Sequence, residues 1–530
     1  MNRKIGIMLS YVVMIIEVCS TLLLTPLTIR TLGQAEYGVY KLIIAINTYL
    51  LLLDLGVGNA TVRYISKYRA NNDETNERKF IAVSIFYFAV VAILALIAGS
   101  ILVAIFPVTF SKGLTVEEIE LGQKLLLIST LASAITLGSA SYSYILIAYE
   151  KFAVFKGSIA IQVLIKMILT YIALKLGMKS FEIVLINLVL TFLLKLFVIL
   201  YVTFRMKIKP LYKNIEKTFV KEIVGYSSLI LLQMIAAQIN SSVDQILIGS
   251  IVPLSSTLLA IYGVGAQIIL YYQSIGNAVT DVVMPGVVGM VEKDATESQI
   301  ADEMTKIGRI VLVVLALIFG VFIVEGKAFI ELWAGHANIE AYFVAAILMF
   351  AYSLTLSESV GVQVLWAKNE QKELSVLKLG IVLLNVLLTV FLIKWNPLIG
   401  AAIGTFISIM LGDVILSNVL FYKKFKLNIF KYYLKLFKGI LPCTLIVIIL
   451  GLFINRIIID NTWIAFFVKS IVLIIAYLVA MLLFGFNKDE KEMIFSIFSK
   501  RRDNWFECLW FWWNYIQRWF RCKFCKIYFS

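Results

Sequence analysis

Apolar residues gather along this chain into fourteen runs, at 7–29, 39–63, 81–106, 123–148, 157–175, 181–204, 224–250, 256–284, 306–325, 342–366, 374–394, 398–421, 438–459 and 463–484, parted by short polar connections. Each run has roughly the 20 residues that a helix needs to cross a bilayer. The pattern predicts an all-α integral membrane protein with about 14 transmembrane helices. The first run is too long for a signal-peptide core and has no A-x-A-like cleavage site before the next run, so it is expected to be retained.

Four runs carry polar residues at helical spacing. Ser10, Glu17, Thr21 and Thr28 are separated by 7, 4 and 7 residues, and Asn47, Asp54, Gly58 and Thr61 by 7, 4 and 3. Gln233, Ala237, Asn240 and Asp244 in the seventh run, and Gln267, Tyr271, Ser274, Ala278 and Asp281 in the eighth, step by three or four. Each set makes one side of a helix polar. A polar side with a carboxylate is costly against lipid, so it faces other helices or a water-filled cavity. Hydroxyls and amides alone also glue helices together, but glue rarely needs a charge.

The second half of the chain restarts the first. ASAITL at 132–137 matches AYSLTL at 351–356 with an offset of 219, which also aligns Ala148 with Ala367, and GNA at 58–60 matches GNA at 276–278. An even number of spans per unit makes two parallel halves related about the membrane normal. The expected division is an N-terminal lobe at 1–204, a basic cytoplasmic linker at 205–223, a C-terminal lobe at 224–421, two further helices at 438–484 and a tail at 485–530.

Composition agrees with this picture and charge orients it. The chain has 530 residues, 61% hydrophobic and 15% charged, too few polar groups to cover a soluble protein of that size. The net charge of +15 follows the membrane: of 48 Lys and Arg, 36 lie in or beside the even-numbered connections and the termini, 8 in or beside the odd-numbered ones, and Lys41, Lys166, Lys195 and Lys469 inside runs. The positive-inside rule then puts both termini in the cytoplasm, and anionic lipid accounts for the excess without nucleic acid. Cys522 and Cys525 form a lone C-x-x-C with no second pair and no nearby His, a poor metal site, and His336 is the only histidine. Trp333, Trp366, Trp395 and Trp463 fall at run ends, where indoles favour the headgroup zone. In the tail, Trp505, Leu509, Trp512, Ile516 and Trp519 recur at 4, 3, 4 and 3, which fits a helix lying in the inner interface or a dispensable end.

Pro26, Arg30, LGQAEYGVY (32–40), DLGVGNA (54–60) and RYISK (63–67) resemble the start of the polysaccharide repeat-unit exporters, the Wzx-type flippases. That family shares a superfamily, MOP, with drug/cation antiporters of the MATE type and lipid II flippases. The resemblance implies two pseudo-symmetric six-helix lobes plus two C-terminal helices, with spans one, two, seven and eight around a central cavity. It implies a bacterial plasma-membrane flippase that moves undecaprenyl-diphosphate-linked oligosaccharide by alternating access, with membrane lipids around it and a polymerase and glycosyltransferases of the same pathway as partners. Capsule, exopolysaccharide and O-antigen units all belong to this substrate class.

The chemistry available is that of a transporter. The sequence holds no nucleophile elbow, Walker A run or HExxH, and its outer loops are too small for a membrane polymerase or glycosyltransferase. No cofactor is implied, and the work is expected to come from a proton or sodium gradient, handled by membrane carboxylates, or from the substrate's own gradient. A diphosphate needs cations where water is scarce, which nominates Lys41, Arg63 and Lys166. Asn47, Gln233, Asn240 and Gln267 are candidates for sugar hydroxyls, and Glu17, Asp54, Asp244 and Asp281 for coupling. Arg30 and Glu36 flank the outer turn as a candidate gate. Lys195 sits nearer the cytoplasmic end, within reach of the interface, while Glu325, Glu358 and Asp413 are ion sites or partners for lysines. The mid-span charge of the first helix is Glu17 rather than the arginine of the lipid II flippase pattern, which disfavours lipid II. A drug/cation antiporter remains the alternative.

Overall fold

The computed structural model describes residues 2–213, 234–235, 238–240, 242–293, 295–368, 370–487 and 490–492, and among them every regular element is helical. The first half of the chain forms α1 (Asn2–Leu32), α2 (Gln34–Leu51), α3 (Val57–Ala70), α4 (Glu74–Phe110), α5 (Val116–Gly138), α6 (Ala140–Ala148), α7 (Phe152–Lys175) and α8 (Ser180–Leu200). Next come α9 (Ser242–Ile251), α10 (Ser256–Glu292), α11 (Glu297–Ala334), α12 (Ala341–Ser357), α13 (Ser359–Ala367), α14 (Gln371–Leu392), α15 (Pro397–Ile409) and α16 (Ser417–Phe425). The chain ends its described part with α17 (Ile429–Phe437), α18 (Ile440–Ile457) and α19 (Trp463–Ala480). Among the described residues twelve helices are long and apolar enough to cross a membrane, and the pair α12 and α13, bent by 42°, makes a thirteenth if it is one span. Of the remaining expected run, 224–250, much lies outside the described residues, as do Gln233, Ala237 and the Trp-rich stretch of the tail.

Hydropathy locates these helices because the outer surface is as apolar as the core. Ile93, Leu193, Leu387, Phe391, Phe453 and Ile471 are all more than half exposed. A continuous surface of this kind is stable against lipid and not against water. Capping chemistry fixes the helix starts. Thr115 and Glu118 close a reciprocal box at α5, Thr296 and Gln299 do so at α11, and Asn396 accepts from two backbone amides where Pro397 opens α15.

The runs are not all straight. The expected span 39–63 breaks after α2 into a single 3₁₀ turn at Leu52–Asp54, and Leu55 (φ 54°) and Gly56 (φ 74°) turn the backbone into the left-handed region before α3. Asp54 Oδ1 accepts from the Gly58 amide at 3.0 Å and satisfies the new helix start. Breaks at Ser139 and Glu358 lie 219 residues apart, and α6 and α13 begin and end at that same offset.

Close approach fixes the packing around the centre. α2 packs on α10, α1 on α7, and α10 on α12. Near the start of α2 a Cβ on Gly38 would lie 1.8 Å from the Ser256 carbonyl oxygen, so only glycine lets the two backbones meet there. Trp333, at the end of α11, is buried with Nε1 donating to the Leu22 carbonyl at 2.9 Å, which ties α11 to α1. Its NH finds a partner only by turning inward.

Candidate functional site

The polar side of α1 and the start of α2 do converge. Glu17 and Thr21 from α1, Lys41 from α2, Lys166 from α7 and Gln267 from α10 line one cavity of about 260 Å³. Lys41 and Gln267 also line a second cavity of about 230 Å³, with Thr48, Gln238, Asn240 and Tyr352. Lys41 Nζ donates to Gln267 Oε1 at 2.9 Å and stands 5.4 Å from the centre of the Tyr37 ring. Gln238 Nε2 donates to Thr48 Oγ1 at 2.6 Å. Both bonds run from α2 to residues of the second half of the chain, so the cavities lie where the two halves meet.

The charge in the first cavity is unbalanced. Lys166 Nζ donates to Asn187 Oδ1 at 2.8 Å, so both ammoniums rest on neutral amide oxygens. Glu17 is exposed and lines the same cavity, and no ion pair joins it to Lys166 among the described residues. Two cations face one carboxylate. Such a site draws in an anion and, through its hydroxyls and amides, neutral oxygen-rich groups.

A second polar cluster is closed to solvent. Asp244 on α9 is only 3% exposed and accepts from the Tyr262 hydroxyl, from Thr405 Oγ1 at 2.7 Å and from Thr389 Oγ1 at 3.2 Å. Asn385 Oδ1 accepts from the same two threonines, and Asn385 Nδ2 donates to Asn240 Oδ1 at 2.8 Å. Among the described residues all the partners of Asp244 are hydroxyls, and none is a cation. Three hydroxyl-bearing side chains thus converge on one buried carboxylate, with Asn385 behind the two threonines, a set of oxygens suited to a proton or to a hard monovalent cation.

Other nominated residues lie elsewhere. Asn47 lines neither cavity and accepts from Ser133 at 2.7 Å. Asp54 is engaged by the Gly58 amide and by the Tyr144 hydroxyl at 2.5 Å, because the break at Leu55–Gly56 ends the helical face on which it was counted. Arg63 and Asp281 are exposed outside both cavities. Contrary to the expected gate, Arg30 is exposed and Glu36 takes the amide and hydroxyl of Ser180 at 2.8 and 2.6 Å, holding the start of α8. Gln233 lies outside the described residues.

The remaining intramembrane carboxylates resolve as partners. Glu325 pairs with Lys469 at 3.0 Å and Asp413 with Lys378 at 3.0 Å. Glu358, at the bend between α12 and α13, instead accepts from Asn418 and Tyr433. No group of three or more metal-ligating side chains occurs among the described residues.

The family described as polysaccharide biosynthesis protein matches residues 4–291, more than half of the chain. The chain belongs to this family. No curated protein sequence matches it. Among solved structures it is similar to a lipid II flippase MurJ in an inward closed conformation, at 17% identity and TM-score 0.69, with 90% of this chain and 98% of that one covered. A multidrug resistance MATE family transporter of the MOP superfamily, inward-facing, superposes at 15% identity and TM-score 0.59 over 77% of this chain and 95% of its own. A Vibrio cholerae MATE transporter does so at 13% identity and TM-score 0.57, over 82% and 99%. At these identities the likeness is one of fold, which is that of a MOP-type multi-pass membrane transporter.

Sequence reasoning missed part of this family member's polar interior. Gln238 and Thr48 had a signal in being polar residues one or two positions from the nominated Asn240 and Asn47, off the faces that were counted. Asn385 and Thr389, four apart in the run 374–394, had the spacing that was used for other helices.

Proposed function

We propose that this protein is a flippase that moves polyprenyl-diphosphate-linked oligosaccharide repeat units from the inner to the outer leaflet of the plasma membrane by alternating access. The observation that carries the reading is the pair Lys41 and Lys166, in apolar helices, in a cavity where each ammonium donates to an amide oxygen and neither is paired with a carboxylate among the described residues. A diphosphate would replace Gln267 and Asn187 as acceptor, sugars would meet Thr21, Thr28 and the amides of the adjoining cavity, and the polyprenyl chain would stay in lipid. In this reading Lys41 and Lys166 meet the diphosphate and Gln267 and Asn240 the sugars, while Arg63 and Asn47 take no part, because neither lines either of these two cavities. The protein works as a transporter and not as an enzyme in this reading.

Asp244 is the proposed coupling residue. A carboxylate buried among three hydroxyls, with no cationic neighbour among the described residues, is further stabilised when it takes up a proton or a small cation. Proton and sodium are the two candidates, and loading the site neutralises it in one conformation of the cycle.

The test is flipping of a fluorescent polyprenyl-diphosphate oligosaccharide in proteoliposomes, with and without a proton or sodium gradient. Wild type is expected to flip it, and Lys166→Ala and Lys41→Ala to lose flipping by at least ~10-fold each, the worth of a charged hydrogen bond. If wild type moves no such lipid across several glycans but expels organic cations, the antiporter reading, which Glu17 in the same cavity would serve, replaces this one.

A further inference from the structure

Intramembrane lysines in this protein fall into two kinds. Lys378 and Lys469 each rest on a carboxylate at 3.0 Å. Lys195, on α8, does not. It is half-buried, its ammonium reaches the Ser143 hydroxyl on α6 at 3.4 Å, and no carboxylate pairs with it among the described residues. A lysine that merely snorkelled would extend along α8 toward Leu200, about 7 Å further on. This one turns inward instead. A cation left at that depth without a counter-charge is costly, and the cost falls when an anion arrives.

A polar seam joins Lys195 to the cavity. On α8, Lys195, Thr191 and Asn187 step by four, and on α7 Gln162 and Lys166 do the same, so each set lies on one face. Across the seam Gln162 Nε2 stands 3.5 Å from Thr191 Oγ1, and Lys166 bonds Asn187 at 2.8 Å. From Lys195 to the level of Asn187 the climb is about 12 Å, two steps of about 6 Å each. The neighbouring residues Ile161, Ile165, Phe192 and Leu193 are exposed to lipid. A hydrogen-bonded helix contact needs no charge, and this one has a cation at each end.

We infer that the α7–α8 seam admits the anionic headgroup of a polyprenyl-diphosphate lipid from the leaflet nearer Lys195, with Lys195 its first station and Lys166 the point of delivery. The lipid chain stays against the exposed apolar faces of the two helices while the headgroup passes along hydroxyl and amide groups. The inference rests on the flippase reading. Lys195 is a specificity residue for an anionic headgroup and plays no part in holding the substrate once it is in the cavity.

The experiment measures flipping of the fluorescent polyprenyl-diphosphate oligosaccharide in phosphatidylcholine proteoliposomes as its mole fraction is raised. Lys195→Gln removes the charge, shortens the side chain by one atom and keeps a polar donor facing Ser143. It is expected to raise the half-saturating mole fraction about 10-fold with the maximal rate unchanged. Lys195→Arg is expected to return within about 2-fold of wild type, and the exposed Lys175→Ala to behave as wild type. Gln162→Leu, which breaks the seam without touching a charge, is expected to raise half-saturation as well and stands in if Lys195→Gln is lost from the monodisperse peak on gel filtration. Unchanged half-saturation in Lys195→Gln or, where that variant is lost, in Gln162→Leu overturns the inference, as does a fall in maximal rate alone. If Lys166→Ala stops flipping while Lys195→Gln is as wild type, this inference falls and the flippase reading stands; if wild type flips no such lipid, both fall.

Discussion

Removing one half of the Lys469–Glu325 pair should cost far more than removing both. Lys469 on α19 and Glu325 on α11 have side chains only 6% and 2% exposed, 3.0 Å apart, and Lys469 also donates to Asn455 on α18 at 2.9 Å. At an effective dielectric of about 20 the attraction is about 5 kcal/mol before desolvation is counted. Lys469→Met leaves Glu325 buried without a counter-charge and should destabilise by about 3–5 kcal/mol. Glu325→Gln keeps an acceptor for the lysine and should cost about 1–2 kcal/mol. The double variant Lys469→Met with Glu325→Leu should return to within about 1 kcal/mol of wild type, because a packed apolar pair replaces two desolvated ions. The assay is thermal unfolding of the detergent-purified protein followed by intrinsic fluorescence, in one detergent at one scan rate. For a chain of this size about 1–2 °C per kcal/mol is expected, so Lys469→Met should melt about 5 °C below wild type. A double variant as unstable as the single one would refute the reasoning, for then the loss comes from packing around the lysine stem and not from a stranded carboxylate.

Other outcomes follow from the site and the packing. Gln267→Glu turns the acceptor of Lys41 into a counter-ion at 2.9 Å; it should slow flipping about 10-fold or more while leaving thermal stability equal or higher, measured side by side in the flipping and melting assays. Asp244→Asn should abolish gradient-dependent acceleration of flipping. If the ion is sodium, wild type should also melt higher in sodium chloride than in choline chloride, by about 2.7 kcal/mol at 100 times the dissociation constant, and the variant should not. Gly38→Val would drive side-chain atoms onto the Ser256 carbonyl, where even a Cβ would sit 1.8 Å away, and should cost at least about 1–3 kcal/mol, seen as a lower melting temperature and a smaller monodisperse fraction.

The spans were legible because lipid selects apolar residues all round a helix, so length alone marks them. The site was legible where the helix stayed regular. Glu17, Thr21 and Thr28 share a face of α1 and line one cavity as their spacing predicts. On α2 the count failed past Leu51, since the turn through Leu55 and Gly56 rotates everything after it, and Asp54 became the anchor of α3. Nothing in an unbroken apolar run marks such a turn except the DLG at 54–56, which the helical count passed over. Glu36 was misread for a different reason. Its neighbour in sequence, Arg30, is a charge of opposite sign, whereas its true partner, Ser180, is supplied by a helix start far along the chain. Pairings of that kind, Lys469 with Glu325 among them, depend on which helices touch, and hydropathy says nothing about that.

The bond between Lys41 and Gln267 connects binding to movement in the proposed cycle. A ligand shifts a conformational equilibrium only by its differential affinity for the two states. Lys41 on α2 and Gln267 on α10 stand on opposite halves of the chain, and their bond, with that between Thr48 and Gln238, crosses between the halves beside the cavities. A diphosphate that draws Lys41 to itself removes one of these crossing bonds, so the state that keeps Lys41 on Gln267 competes with substrate for the same ammonium. Were Lys41 held by a carboxylate, as Lys469 is, that competition would be too one-sided for a phosphate to win. A neutral amide is a weaker rival. The amides at Lys41 and Lys166 therefore leave both cations available to an anion and let its arrival and departure bias the contact between the halves, which alternating access requires.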